Sequence, residues 1–223
     1  MGRPVGRAHP PFIIAALDCR ELGTLERALS AIDSAAASKV DAIKFARMPW
    51  AWAAKLIERA EARHLTLLVQ ALDEDQISQL DWLGACAFYL VFDWSDLDLV
   101  ARAARTGKPI VMQVGTASEI ELAEVVETVH ANGNGGIALV QSVIDIGLEG
   151  LDGLRRHATV IGIADRSNDP TIALAAIERG ASIVEKRLSL SSDGSSLSEI
   201  NAVVRDCEQG WASLGDDRGW TVN

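Results

Sequence analysis

Cysteine is scarce in this sequence, and its spacing excludes the common cysteine-based sites. Cys19, Cys86 and Cys207 are odd in number and form no C-x-x-C pair, the spacing that many zinc sites and redox motifs use. A disulfide framework needs an even number of cysteines at short intervals. We therefore expect three free, buried thiols and no zinc site.

Positive charge is scarce as well. The chain carries 21 Lys and Arg against 31 Asp and Glu, a formal net charge of −10, and its basic residues form no stripe. Nucleic acids and anionic membranes bind clustered Lys and Arg, so we expect neither as a partner. No apolar run reaches the length of a membrane span, and residues 1–11 lack the apolar core of a signal peptide. These absences predict a cytoplasmic protein.

What the sequence does contain is one pattern repeated eight times: a short apolar run, a polar break, and an amphipathic helix that ends near Gly. Runs that are nearly continuous rather than alternating are typical of strands in parallel sheets covered by helices on both faces. Eight such units in 223 residues predict an α/β fold, a (β/α)8 TIM barrel. The runs span residues 12–18, 42–47, 65–70, 87–93, 109–115, 137–143, 159–165 and 182–188.

The whole chain is predicted to form a single domain, because no Pro-, Gly- or Ser-rich linker divides it. Residues 1–11 are an N-terminal leader, residues 12–212 the barrel, and residues 213–223 a polar tail. Ser118 followed by Glu121 resembles a capping box and marks the start of one of the helices. In such barrels, function resides at the C-terminal ends of the strands.

Five short segments carry a family resemblance: Val40–Phe45, residues 83–88, residues 106–110, Gly115 and Gly180–Lys186. In order and spacing, over about residues 12–203, they resemble the sialic acid (N-acetylneuraminate) synthase family. The resemblance implies a barrel that condenses phosphoenolpyruvate with an N-acyl amino sugar by means of a divalent metal. It also implies a C-terminal antifreeze-like domain that completes a neighbouring subunit's site, and we expect this chain to lack that domain.

The side chains at the family's reactive positions are different here. Arg166 and Arg187 stand where the family has two metal-ligand histidines, and a protonated guanidinium has no lone pair for a metal. We therefore expect no metal, no other cofactor and no sialic acid synthesis. The other replacements are Ala16, Arg20 and Glu21 for a glutamate and an Asn-His pair, Tyr89 and Phe92 for a phosphate-binding lysine and serine, and Gln113 for a serine.

Strand periodicity selects the side chains that point into the barrel mouth. Charged side chains are rarely buried without a partner, so a polar inward set calls for an explanation. Either Lys44, Arg166 and Arg187 hold a small carboxylate or phosphate, or the two arginines plug an ancestral metal site by pairing with Asp18 and Glu185. The predicted inward set is Asp18, Lys44, Gln70, Tyr89, Gln113, Gln141, Arg166, Glu185 and Arg187.

Two functions follow from this set. In the first, a metal-independent enzyme binds a small anionic molecule and makes or breaks a carbon–carbon bond next to a carboxylate. In the second, the barrel is a non-catalytic binding or regulatory paralogue that associates with an active synthase or with itself, as a homo-oligomer. The catalytic candidates are Lys44, Asp18, Glu185 and Tyr89, and the substrate-binding candidates are Arg166, Arg187, Gln70, Gln113 and Gln141.

Other side chains near the predicted strands have structural interpretations. Trp50 and Trp52 follow the second strand and either form a lid over the mouth or fix the second helix. By parity Lys186 points outward beneath the helices, with its stem reaching to solvent. We expect structural roles for all four histidines, His9, His64, His130 and His157.

Overall fold

Eight parallel strands and a surrounding layer of helices make up the computed structural model, which describes residues 3–92, 97–133, 136–143, 147–167, 169, 171–188 and 195–214. The strands are β1 (Phe12–Asp18), β2 (Ala42–Ala46), β3 (Thr66–Val69), β4 (Phe88–Val91), β5 (Ile110–Gln113), β6 (Ile137–Ser142), β7 (Val160–Asp165) and β8 (Ile183–Arg187). The helices within the described ranges are α1 (Cys19–Leu22), α2 (Leu25–Ala37), α3 (Ala53–Ala62), α4 (Glu74–Trp82), α5 (Leu97–Ala104), α6 (Glu119–Asn132), α7 (Gly150–Leu154), α8 (Thr171–Glu178) and α9 (Ser195–Ser213).

The strands form one sheet in the order β3-β2-β1-β8-β7-β6-β5-β4. The ring closes between β3 and β4 through a single parallel bridge from Gln70 to Tyr89. At the same seam the backbone N–H of Ala71 donates to the Tyr89 carbonyl at 3.1 Å. The predicted (β/α)8 barrel is therefore confirmed, with two candidate site residues at its closing seam.

Two apolar layers stabilise the barrel, one inside the ring of strands and one between the strands and the helices. Alternation along each strand assigns side chains to the two layers, so that Ile14 faces the interior and Ile13 faces the helices. Each large apolar side chain buried this way contributes about 1.5–3 kcal/mol relative to exposure. The inner layer consists of Phe12, Ile14, Ala42, Leu68, Tyr89, Val111, Ala138, Val140, Ala164 and Ile183.

The chain around α6 follows the sequence signals closely. Ser118 Oγ accepts the backbone N–H of Glu121 at 3.4 Å, and the Glu121 carboxylate accepts the backbone N–H of Ser118 at 2.6 Å. The predicted capping box is thus confirmed. Hydrogen bonds from Ser118 lower the pKa of Glu121. These contacts satisfy backbone donors that a helix start otherwise leaves unpaired.

The predicted leader packs at the N-terminal end of the barrel. The Arg3 guanidinium donates to both carboxylate oxygens of Asp41, at 2.6 and 2.9 Å, and to the Pro10 carbonyl at 2.6 Å. Val5 packs against the inner apolar layer. The N-terminal end of the barrel is therefore covered by the leader as well as by Phe12.

The three cysteines are free, but only two are buried. Cys19 and Cys207 are buried, and burial raises their thiol pKa to about 11 and about 12. Cys86 is exposed, because it lies in the loop that precedes β4, so the expectation of three buried thiols is wrong for this residue.

Among the helices that the structure describes, none is both long and apolar enough to cross a membrane.

Candidate functional site at the barrel mouth

Most of the predicted inward set lies on the interior face of its strands, with Gln141 as the exception. On β6, Ala138 and Val140 belong to the inner apolar layer, so the next inward residue is Ser142. The Gln141 side chain faces the helices, where its amide nitrogen donates to the Gly115 carbonyl at 2.7 Å and its amide oxygen lies against Gly150. The expectation that Gln141 lines the mouth is wrong.

Four side chains form a buried cluster at the base of the mouth, which we call the buried quartet: Lys44, Tyr89, Gln113 and Glu185. The Lys44 ammonium pairs with Glu185 Oε1, and the two side chains are only 7% and 6% exposed. Lys44 Nζ also lies 4.0 Å from the centre of the Tyr89 ring, within range of a cation–π interaction. The Tyr89 hydroxyl donates to Gln113 Oε1 at 3.1 Å.

Burial controls the ionisation of the quartet. It lowers the pKa of Lys44, a shift that Glu185 opposes and that the charges of Arg166 and Arg187 reinforce. Burial, together with the Glu185 carboxylate, raises the pKa of Tyr89 well above its usual range. At neutral pH Tyr89 is therefore a neutral phenol.

One carboxylate oxygen of the quartet has no partner. Glu185 Oε2 is buried and accepts no hydrogen bond of ordinary geometry from the residues that the structure describes, and the hydroxyl of Tyr89 is the donor near the Glu185 carboxylate. A buried acceptor without a donor costs about 1–3 kcal/mol. Such an atom is available to a donor or a proton supplied by a bound molecule.

A second level lies above the quartet, and we call it the rim: Asp18, Glu21, Arg47, Arg166 and Arg187. Asp18 is buried, whereas the other four residues are exposed. Asp18 accepts the backbone N–H of Arg20 at 2.9 Å, which caps α1, and also pairs with Arg47 at 3.2 Å from Nε to Oδ1. Arg187 pairs with Glu21, and both side chains are about half exposed. These two ion pairs tie the ends of β1, β2 and β8 together.

Arg166 differs from the other rim arginines. It is exposed and, within the described part of the chain, makes neither a hydrogen bond nor an ion pair. It nevertheless lies close enough to the quartet for its charge to lower the pKa of both Lys44 and Tyr89. Among the described residues, Arg166 is therefore a cation at the mouth whose donors have no protein acceptor.

The pairing that the sequence suggested for a plug is wrong in each of its parts. Glu185 pairs with Lys44, Asp18 pairs with Arg47, and Arg187 pairs with Glu21. Arg47 was missed because it was predicted to end the second strand run, residues 42–47, where alternation from Lys44 points it outward, whereas β2 ends at Ala46 and Arg47 begins a loop. Glu21 lies in α1, a single turn whose position depends on the Asp18 cap.

The remaining neighbours of the mouth have structural contacts. Gln70 is half-buried at the β3–β4 seam. Trp50 and Trp52 pack against the outer apolar layer, and the Trp50 indole N–H donates to Gln79 of α4, which fits helix fixation rather than a lid. Lys186 pairs with Asp165 instead of reaching solvent.

The side chains that the structure describes at the mouth do not fit a divalent metal. Arg166 and Arg187 stand at the positions where the family resemblance implies histidine ligands, and guanidinium groups cannot coordinate a cation. No cluster of three or more His, Cys, Asp or Glu residues suited to a metal occurs in the described ranges. The one carboxylate of the quartet, Glu185, is already paired with Lys44.

Comparison with protein families gives one match that covers most of the chain. The family model described as "NeuB family" matches residues 24–216. A curated relative, the spore coat polysaccharide biosynthesis protein SpsE of Bacillus subtilis, is 24% identical over 86% of this chain. The chain spans only 63% of the length of SpsE. A pseudaminic acid synthase of Campylobacter jejuni is 23% identical over 93% of this chain and 76% of that protein.

Solved structures agree on the fold. The crystal structure of SpsE from Bacillus subtilis superposes with a TM-score of 0.86 at 24% identity, and covers 98% of this chain and 73% of that chain. The N-acetylneuraminic acid synthetase of Leptospira borgpetersenii superposes with a TM-score of 0.83 at 23% identity, over 96% of this chain and 88% of that chain.

Proposed function

The chain belongs to the NeuB family, and we propose that its mouth binds a small carboxylate or phosphate compound and acts on it without a divalent metal. Its fold is that of a carbohydrate synthase, similar to the sialic and pseudaminic acid synthases. The ligand and the metal independence are our proposal, and they rest on the charges at the mouth.

The observation that carries the proposal is the level of Arg166 in the barrel. Ala164 is the register partner of Glu185, and Arg166, two residues further along, lies one inward position above it. Arg166 presents a guanidinium with no protein partner in the described residues, and a planar guanidinium binds carboxylate or phosphate through two parallel hydrogen bonds. Below it, Glu185 has a buried oxygen without a donor. A small anion held by Arg166 would place its neighbouring carbon atoms toward that oxygen.

The quartet supplies groups for proton transfer next to a carboxylate. Glu185 Oε2 is the proton acceptor, and the Lys44 ammonium stabilises negative charge that develops on the substrate, because buried charges interact more strongly than solvated ones. Gln113 orients the Tyr89 hydroxyl by accepting its hydrogen bond. Asp18 already accepts the α1 backbone and pairs with Arg47, so we assign proton transfer to Glu185 rather than to Asp18.

A second function, a non-catalytic binding or regulatory barrel, is favoured by a different observation. The charged groups of the quartet are paired with each other and shielded from solvent: Lys44 pairs with Glu185, and Tyr89 is fully buried. Two of the three rim arginines are likewise paired with carboxylates. Ion pairs within the mouth stabilise it when no substrate is bound. A barrel that only binds another protein needs a mouth of this kind.

The binding experiment titrates wild-type protein with inorganic phosphate, pyruvate and phosphoenolpyruvate by calorimetry, with and without Mn²⁺. We expect binding that Arg166→Ala weakens by at least about tenfold, equivalent to about 1.4 kcal/mol. The control variant Arg59→Ala removes an arginine that pairs with Asp33 on the outer helices, and should bind as the wild type does. Equal affinities of the wild type and Arg166→Ala would refute the proposed site, and tighter binding with Mn²⁺ would refute metal independence.

A second experiment separates the enzyme from the binding barrel. In deuterated water, proton NMR follows exchange at the methyl group of pyruvate, which requires proton transfer at carbon. Exchange that is catalysed by the wild type and lost in Glu185→Gln supports the enzyme, whereas binding without exchange supports the binding barrel. We expect no condensation of phosphoenolpyruvate with N-acetylmannosamine, because the metal ligands of that reaction are replaced.

A further inference from the structure

The backbone on both sides of Arg166 is held by a set of contacts on the outer face of the barrel. The carboxylate of Asp165, whose side chain is fully buried, accepts the backbone N–H of Ser167 at 2.7 Å. Lys186, the residue opposite Asp165 on the neighbouring strand β8, pairs with Asp165 Oδ2 and donates to the Ser167 carbonyl at 2.7 Å. These three contacts enclose the Arg166 backbone.

We propose that Lys186 is a positioning residue that fixes the direction in which Arg166 presents its guanidinium to an anion. This inference rests on the proposed function and deepens it. Side chains alternate along an extended chain, so Asp165 and Lys186 face the helices while Arg166 faces the mouth. Lys186 therefore acts on the site through the backbone, without contact with the ligand.

Arg166 needs such support more than the other rim arginines do. Arg47 and Arg187 are oriented by carboxylates, whereas Arg166 has no such partner in the described ranges. An arginine side chain without a partner samples many rotamers, and part of that rotamer entropy is lost on binding. Fixing the backbone on both sides restricts where the guanidinium can lie. Less conformational entropy is therefore lost when the anion binds.

The chain offers a matched control at the opposite end of the barrel. Lys108 likewise bridges a carboxylate and a carbonyl: its Nζ lies 2.7 Å from Asp81 Oδ1 and 3.3 Å from the Asp81 carbonyl oxygen. Lys108 precedes β5 and is remote from the mouth. Replacing it removes a Lys–Asp pair that is more exposed, 25% and 40% against 13% and 0% for Lys186 and Asp165, without touching the backbone of Arg166.

The test is a double-mutant cycle with inorganic phosphate as the probe in calorimetry. Lys186→Met is expected to weaken phosphate binding about tenfold, the lower end of what groups that orient a primary ligand contribute. Lys186→Arg should restore most of the affinity, because it keeps a donor for Asp165 and Ser167. In an Arg166→Ala background Lys186→Met should have no further effect, and Lys108→Met should leave the affinity unchanged even where it lowers the Tm.

The outcomes separate this inference from the function beneath it. A wild-type protein that fails to bind phosphate, or binds it independently of Arg166, overturns the proposed function and the role of Lys186 together. Binding that depends on Arg166 but is unaffected by Lys186→Met overturns the positioning role alone, as does an equal loss in Lys108→Met. If Lys186→Met does not fold, the double variant Asp165→Asn with Lys186→Met removes both buried charges. Its phosphate affinity relative to the wild type is then measured instead.

Discussion

The buried quartet and the rim contain the same kinds of charged side chain under different physical conditions. Lys44 and Glu185 are 7% and 6% exposed, whereas Arg187 and Glu21 are 40% and 43% exposed. Removing an ion from water costs several kcal/mol, which only a close partner offsets. At the rim, water and salt screen the pair, so its contribution is about 0–1 kcal/mol.

The difference shows that depth in the barrel, rather than residue type, decides what a substitution does. One of the two interpretations of the sequence was that the arginines plug the mouth by pairing with Asp18 and Glu185. In the structure the ion pair that fills the base of the mouth belongs to Lys44 and Glu185, and the arginines lie above it. Loss of stability is therefore expected in the quartet and loss of ligand binding at the rim.

The largest effect is expected from Glu185→Leu. This variant leaves the Lys44 ammonium buried without its carboxylate, and breaking a buried pair from one side costs about 3–5 kcal/mol. The free energy of unfolding is measured by urea denaturation at pH 7. The control is Glu21→Leu, which removes a carboxylate from the rim pair and should cost less than about 1 kcal/mol. Equal losses in the two variants would contradict the distinction between the levels.

The same variant has a predictable pH dependence. Burial lowers the pKa of Lys44 in the folded protein below the ordinary value of 10.5, so between the lowered pKa and 10.5 the unfolded chain binds more protons than the folded one. The free energy of unfolding therefore rises with pH across that window. In Glu185→Leu the opposing carboxylate is gone, so its deficit should shrink as the pH approaches 10. The double variant Lys44→Met with Glu185→Leu should recover most of the stability at pH 7.

A smaller effect is expected from Tyr89→Phe. This variant removes the hydroxyl that donates to Gln113 and leaves the Gln113 amide oxygen buried without that donor, at a cost of about 1–3 kcal/mol. The ring that packs beside Lys44 stays in place. Urea denaturation gives the magnitude, and the double variant Tyr89→Phe with Gln113→Leu should recover part of it. An unchanged free energy of unfolding in Tyr89→Phe would show that the Gln113 amide oxygen does not need the Tyr89 hydroxyl.

Most of the fold was predictable from the sequence, because parallel strands buried on both faces leave apolar runs that helices must separate. The same property hides which side chains of a strand point into the barrel and which point toward the helices. Residues 137–140 of β6 are apolar on both faces, so the run does not show which face is interior. Gln141 was therefore wrongly assigned to the interior face, on which Ser142 lies.

Strand periodicity could not predict which side chains form ion pairs at the rim. Asp18 was placed correctly at the end of β1, but its partner Arg47 lies in a loop and has a left-handed backbone, with φ +52°. Glu21 lies on a four-residue helix, which is too short to leave a periodic signal. In contrast, Lys44 and Glu185 lie within strands, and both were identified.

The smallest effect on stability is expected from Arg187→Ala. Its pair with Glu21 is about half exposed, and its charge also disfavours the protonated form of Lys44. Loss of the pair and relief of that repulsion oppose each other, so the free energy of unfolding should change by less than about 1 kcal/mol. Thermal denaturation at low and high salt measures the change, which should shrink as salt screens the rim. A loss of several kcal/mol that salt does not reduce would place Arg187 in the buried level, and the separation of quartet from rim would then fail at this residue.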